Sequence, residues 1–172
     1  MKKITLVFCA LLFVGTIAKA QAPLQEGEMQ INGGVGLSNY GLPLYGGLEY
    51  GIGYNISVGG EVSYRGYHET YSSTKWNHAI FTAAAIGNYH FNELLEIPSE
   101  WDFYAGLSLG YSAWSSKYDG NGSFSYAGSG GSGLYLVGQI GGRYFFNENV
   151  GLNVELGGGN YSGGKIGVTI KL

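Results

Sequence analysis

The chain has one cysteine, three prolines and only 12% charged residues among its 172. The single thiol, Cys9, lies in an apolar stretch near the start, so no disulfide framework braces the fold. Cys9 also follows bulky Phe8, which argues against lipid acylation at that site. Nine basic residues face twelve acidic ones, and no basic patch is left to neutralise phosphates, which argues against nucleic acid as a partner. After residue 20 there is no apolar run of about 18 residues, so a helical membrane protein is excluded. Histidine occurs three times, as His68, His78 and His90, without metal-ligand spacing, and no metal or cofactor is expected.

At the start, Lys2 and Lys3 precede an apolar run from Ile4 to Ile17, which ends in Ala18-Lys19-Ala20. This pattern predicts a secretory signal peptide, residues 1–20, cleaved before Gln21, with residues 21–172 as one mature domain. The run is shorter than the roughly 20 apolar residues of a membrane span. Cleavage removes Lys2, Lys3, Lys19 and Cys9, and leaves an acidic chain free of cysteine.

Glycine and tyrosine are abundant, at 32 and 15 residues. From Glu28 to Leu172 apolar residues alternate with small or polar ones in eight segments of about ten positions, the period of a strand with two different faces. The last segment shows it most simply. Ile166, Val168, Ile170 and Leu172 share one face, and Lys165, Gly167, Thr169 and Lys171 the other. Earlier segments behave alike over Glu28 to Ser38, Leu44 to Ile52, Ile56 to Arg65, Trp101 to Ser112, Leu134 to Phe146 and Val150 to Gly157. The segment Trp76 to Phe91 is irregular, because Ile80 and Ile86 share a parity with His78, Thr82, Asn88 and His90, and a bulge is expected there.

Tight turns are expected at Tyr54-Asn55 and Asn147-Glu148-Asn149, and the connection Asn92 to Glu100 contains Pro98. Polar connections from His68 to Lys75 and from Ser115 to Ser132 are long. Short turns on one side and long connections on the other match the periplasmic and exterior sides of an outer-membrane barrel. Two aromatic girdles are expected as well: Tyr40, Tyr64, Trp76, Tyr111, Trp114, Tyr135 and Tyr161 at the outer rim, and Tyr54, Tyr89, Phe91, Trp101, Phe103, Tyr144 and Phe146 at the inner rim.

The polar face separates a membrane barrel from a soluble one. A soluble barrel turns its polar face to water and loads it with charge. Here that face is mostly Gly, Ser, Thr and Asn, which suits a narrow interior with room for Tyr45, Tyr104 and a few ions. The predicted fold is therefore all-β, an eight-stranded antiparallel up-and-down transmembrane β-barrel.

The signal peptide, the eight alternating segments and strands such as Ile56-Ser57-Val58-Gly59-Gly60-Glu61-Val62-Ser63-Tyr64 and Gln139-Ile140-Gly141-Gly142-Arg143-Tyr144 resemble the small OmpA/OmpX-type outer-membrane β-barrel family. The resemblance covers the mature chain and rests on pattern, with no diagnostic motif. It implies an outer-membrane location in a Gram-negative bacterium, with outer-membrane lipid and, during biogenesis, the barrel-assembly machinery as partners. The family commonly ends in an aromatic residue, whereas this chain ends in Leu172.

The interior ions form the candidate site: Glu49, Glu61, Arg65, Arg143, Glu155 and Lys171. Arg143 and Glu155, on either side of the Asn147-Glu148-Asn149 turn, are an expected salt bridge, and centring the earlier hairpin on Asn55 places Glu49 opposite Glu61, a like-charge pair. Arg143, Arg65 or Lys171 would then reach across the lumen to neutralise those carboxylates. An acid/base pair, an ion path and a structural charge network are the alternatives for Glu49 and Glu61, and the network is favoured because an eight-stranded lumen is filled by its own side chains. Asp119-Gly120-Asn121-Gly122-Ser123 lacks the turn glycine and distal Glu of a calcium loop. The Ser/Gly run from Gly128 to Gly133 opens no helix and is no phosphate cradle. Sequence alone places no Ser/His/Asp constellation. The expected function is non-enzymatic, contributing to envelope integrity or surface interaction, with Tyr118, Phe124 and Tyr126 as candidate loop contacts for an extracellular ligand. A narrow ion or small-solute channel and a soluble ligand-binding barrel are the alternatives. A lipid-modifying barrel enzyme would need a nucleophile at the lipid-facing rim that nothing in the sequence positions.

Overall fold

The computed structural model describes residues 23–38, 41–71, 74–118, 131–159 and 163–172, so the predicted signal peptide lies outside the described residues. Eight strands follow in chain order: β1 (Met29–Leu37), β2 (Leu44–Gly53), β3 (Ile56–Tyr71), β4 (Thr74–His90), β5 (Trp101–Tyr118), β6 (Gly133–Phe145), β7 (Val150–Gly159) and β8 (Gly164–Lys171). Each pairs with the next, and β8 pairs antiparallel with β1, which closes the barrel. Closure matters because a sheet edge in lipid would leave backbone groups without partners.

The two faces are those of a barrel turned inside out relative to a soluble one. Leu48, Val62, Leu107, Ile140, Val154 and Val168 are exposed on the outer wall. Gln30, Glu49, Ser57, Asp102, Arg143 and Thr169 are buried in the lumen. In water the outer wall would be unfavourable by about 25 cal/mol for each Å² of apolar surface left exposed, whereas lipid solvates it. The lumen is tolerable only where its polar groups satisfy one another.

The expected bulge in the fourth strand is absent. β4 pairs in unbroken register with both β3 and β5. Ile80 and Ile86 point inward with His78, Thr82, Asn88 and His90, because this part of the lumen accepts apolar side chains, and the lipid face of β4 consists of Ala79, Phe81, Ala83, Ala85, Gly87 and Tyr89. The register irregularity lies in β2 instead, between Gly51 and Gly53. Beside it the two-residue connection Tyr54–Asn55 has both residues at positive φ, 55° and 60°, the mirror-image turn whose twist suits a hairpin. Gly53, at φ 85°, supplies the third left-handed step without a Cβ clash.

The polar connections expected at His68 to Lys75 and Ser115 to Ser132 are also corrected. β3 and β4 pair to Tyr71 and Thr74, and β5 continues through Ser115, Ser116 and Lys117 to Tyr118. β3, β4 and β5 have 16, 17 and 18 residues against 9 for β1 and 8 for β8, so three neighbouring strands rise past the others. Beyond the lipid an outward side chain need not be apolar, so the alternation that marks a strand fades while the backbone pairing continues.

Of the two predicted girdles, the one at the end with the short turns is built. Trp101 stacks on Phe103 at 5.6 Å and lies 4.8 Å from Tyr144, and Tyr144 meets Phe146 edge-on at 5.5 Å. At the other end Tyr64 and Tyr111 face outward, but Trp76 and Tyr135 are buried and Trp114 shares the inward parity of Ser112 and Ser116. Tyr40 and Tyr161 lie outside the described residues.

Candidate functional site

The lumen carries the chemistry, in two clusters. The first lies nearer the turn end. Glu49 on β2 accepts hydrogen bonds at Oε1 from Asn32 Nδ2 at 2.7 Å and Arg143 Nη2 at 2.5 Å. Its Oε2 accepts from Ser57 Oγ at 2.9 Å and Asn88 Nδ2 at 3.0 Å. Arg143 on β6 donates its other nitrogen, Nη1, to Asp102 Oδ2 at 2.9 Å, and its guanidinium lies over the Tyr104 ring at 4.2 Å. One planar fork thus ties two carboxylates from β2 and β5, the geometry that suits Arg and not Lys. With its amide turned so that oxygen faces the guanidinium, Gln30 accepts a further bond at 2.9 Å.

Neutral side chains extend this cluster around the wall. Ser108 donates to Gln139 at 2.6 Å, Gln139 to Asn88 at 2.9 Å and Asn88 to Glu49. From the other side Thr169 donates to Asn32 at 2.7 Å. Small residues make the room. A Cβ added at Gly141 would overlap the Tyr104 ring, so the ring that underlies Arg143 depends on a glycine across the strand pair.

The second cluster lies toward the extended end. Lys165 Nζ on β8 meets both carboxylate oxygens of Glu61 at 2.8 Å and Glu155 Oε1 at 2.9 Å. Tyr104 donates to Glu155 Oε2 at 3.0 Å and so links the two clusters. Tyr45 and Asn153 exchange hydrogen bonds beside it. Above Lys165 a cavity of about 30 Å³, lined in part by Glu61, Arg65, Tyr135 and Glu155, has room for about one water.

The predicted pairings are therefore revised. The β6–β7 hairpin pivots on Glu148, so Arg143 faces Asn153 and Glu155 faces Gly141; the predicted Arg143–Glu155 bridge is replaced by Arg143–Glu49 and Lys165–Glu155. The turn at Tyr54–Asn55 and the irregularity beside it shift β2 against β3, so Glu49 faces Gly59 and Glu61 faces Gly47. Glu49 and Glu61 end up in different clusters, each with its own cation. Arg65 is buried near the extended end and donates to Ser38 Oγ at 3.1 Å. Lys171 closes the turn end, 3.8 Å from Glu28 and 4.9 Å from the centre of the Phe145 ring. Tyr118 ends β5, and Phe124 and Tyr126 lie outside the described residues.

Three ionisable residues absent from the predicted network complete it: Lys165, Asp102 and His90. Alternation already put Lys165 and Asp102 on the inward face, but a partner across the lumen depends on barrel closure and stagger, which alternation does not carry. His90 brings a larger correction. Its Nε2 lies 2.9 Å from Ser57 Oγ and its Nδ1 2.7 Å from Asp102 Oδ1, so a Ser/His/Asp constellation does exist, contrary to the expectation of none. All three are buried, at 0%, 0% and 1% exposure for Ser57, His90 and Asp102. Among the described residues, no group of three His, Cys, Asp or Glu is placed to hold a metal.

Solved structures share this architecture. The outer membrane protein OprG of Pseudomonas aeruginosa superposes with a TM-score of 0.60 at 13% identity, over 87% of this chain and 97% of that one. This is a transmembrane β-barrel of the outer-membrane type. A de novo designed transmembrane β-barrel gives 0.54 at 15% identity over 88% and 100%. The N-terminal barrel domain of OprF from the same bacterium gives 0.51 at 18% identity over 86% and 98%. No protein-family model and no curated protein matches the chain. The barrel's apolar outer wall and these likenesses agree on its architecture, and at these identities they speak to the fold alone.

Proposed function

We propose that this barrel is a closed, non-enzymatic scaffold in the outer membrane of a Gram-negative bacterium, which supports envelope integrity and presents the β3–β5 extension for surface interaction. The observation that carries this reading is the lumen. Arg143, Glu49, Asp102 and Tyr104 meet across its width, with every one of them at 3% exposure or less. An acid/base role for Glu49 and Glu61 has no support, since the two acids bind different cations. In this reading residues 1–20 are the cleaved export signal, and the mature chain is inserted by the barrel-assembly machinery with its short turns in the periplasm.

The extension supplies the surface. β3 to β5 carry, on their inward face, Tyr67 stacked on His78 at 4.6 Å and Trp114 edge-on to both, at 5.8 and 5.7 Å. Tyr118 ends β5, and Phe124 and Tyr126 follow it in sequence, outside the described residues. The test is conductance: mature protein reconstituted in planar bilayers is expected to show no discrete openings. Steady single-channel steps that persist in independently refolded samples would replace the scaffold with a channel.

A further inference from the structure

Ser57, His90 and Asp102 lie in the order of a hydrolase triad, yet their protons are differently arranged. A triad serine gives its proton to the histidine, which must offer a bare nitrogen. Ser57 has one proton and two groups within reach, His90 Nε2 and Glu49 Oε2, both at 2.9 Å. If the proton went to His90, the Ser57 lone pairs would face an ionised Glu49 oxygen with both groups buried, an unfavourable contact. If it goes to Glu49, Ser57 Oγ is left as the acceptor, and His90 Nε2 must bring a proton of its own. His90 Nδ1 faces Asp102, which Arg143 holds as a carboxylate through its other oxygen, so Nδ1 also carries a proton.

We propose that this cluster is a buried proton-binding site, in which His90 is doubly protonated and Ser57 relays its charge to Glu49, so that the triad is locked against nucleophilic chemistry. Charge balance supports the assignment. Glu49 and Asp102 are matched by Arg143 and His90, and buried charges persist where they are paired. The alternative position for the shared proton, Glu49 itself, is opposed by three donors besides Ser57, from Asn32, Asn88 and the Arg143 guanidinium, which favour an ionised carboxylate. Among the described residues, the other elements add no competing base. β1 offers Gln30 and Asn32, β8 offers Thr169 and a Lys171 already beside Glu28, and Tyr104 of β5 sets its ring 5.9 Å from His90 while its hydroxyl serves Glu155.

This inference goes beyond the closed-scaffold reading, because a neutral His90 would overturn the proton site and leave the scaffold intact. The experiment is nitrogen NMR of the refolded mature barrel in detergent, with histidine ring nitrogens labelled. Both His90 nitrogens are expected to show protonated-type signals near neutral pH, with slowly exchanging protons. One bare nitrogen would overturn the proposal. His90→Gln assigns the signals, and if that variant does not fold, His68→Gln with His78→Gln leaves His90 alone. In Glu49→Gln, His90 is expected to become neutral, keeping only the proton toward Asp102, and an unchanged spectrum would overturn the relay. If Glu49→Gln fails to fold, Ser57→Ala serves: the Nε2 proton is expected to exchange at least about tenfold faster, and unaltered exchange would overturn the relay. A fluorophosphonate probe is expected to leave Ser57 unlabelled. An adduct that disappears in Ser57→Ala would show a working nucleophile and overturn the lock.

Discussion

The two halves of the lumen use opposite means to neutralise the same number of acids. Toward the short turns, Glu49 and Asp102 share a planar guanidinium, and the ions are exposed by 1% to 3%. Toward the extended end, Glu61 and Glu155 share a single ammonium, and the ions are exposed by 10% to 17%. Arg143 makes directional bonds from its two terminal nitrogens to two strands and packs on a ring besides, while its Nε is buried without a hydrogen-bond partner. Lys165 is a point charge on a flexible stem and tolerates a small cavity next to it. The difference separates a directionally braced plug at the turn end from a looser mouth with a small cavity at the extended end.

The contrast breaks most sharply at Arg143. Arg143→Ala leaves the buried Glu49 without its cation and Asp102 with His90 alone, and is expected to cost about 3–5 kcal/mol, enough to suppress the heat-dependent gel shift of the folded barrel. Arg143→Lys should restore little of it, since an ammonium cannot span Glu49 and Asp102 with parallel bonds. Unchanged melting and gel mobility in Arg143→Ala would remove the plug from the account. Next comes Gly141→Ala, whose Cβ displaces the Tyr104 ring from beneath Arg143 and should cost about 1–3 kcal/mol by urea titration. Lys165→Met is expected to cost about 1–2 kcal/mol, between an exposed and a buried ion pair, because the carboxylates it leaves behind reach water at the mouth. The smallest effect belongs to the outer connection. Replacing residues 119–130 with a short Gly/Ser linker should change stability by no more than about 0.5 kcal/mol, while any surface-binding phenotype is lost. A large drop in melting temperature would show that this segment supports the barrel and does not merely decorate it.

The wall of the barrel was legible in the sequence and the lumen only in part. β8 could be read directly, because Ile166, Val168 and Ile170 meet lipid while Lys165, Gly167 and Thr169 do not. β4 could not, because its lipid face is mostly Ala and Gly, and its lumen face holds Ile80 and Ile86, so apolar character no longer marks the side. The rise of β3 to β5 was hidden for a related reason: above the lipid, nothing requires Ser115 or Lys117 to be apolar. The ions were placed on the correct face by parity, but their partners depended on hairpin register to a single residue and on the cross-barrel approach of β2 to β6. The two-residue turn at Tyr54–Asn55 and the irregularity at Gly51 to Gly53 together were enough to separate Glu49 from Glu61. The Ser57–His90–Asp102 chain was invisible for the same reason, since it joins three strands whose mutual stagger is set by the turns between them.

The central claim is that Arg143 anchors a directionally braced plug and Lys165 a looser mouth. Two double-mutant cycles in lipid vesicles, unfolded by urea, test it most directly: Arg143→Met with Glu49→Gln, and Lys165→Met with Glu61→Gln. The account predicts a coupling energy for the Arg143 pair at least about 1 kcal/mol greater than for the Lys165 pair. Equal couplings, or a stronger one at Lys165, would contradict it.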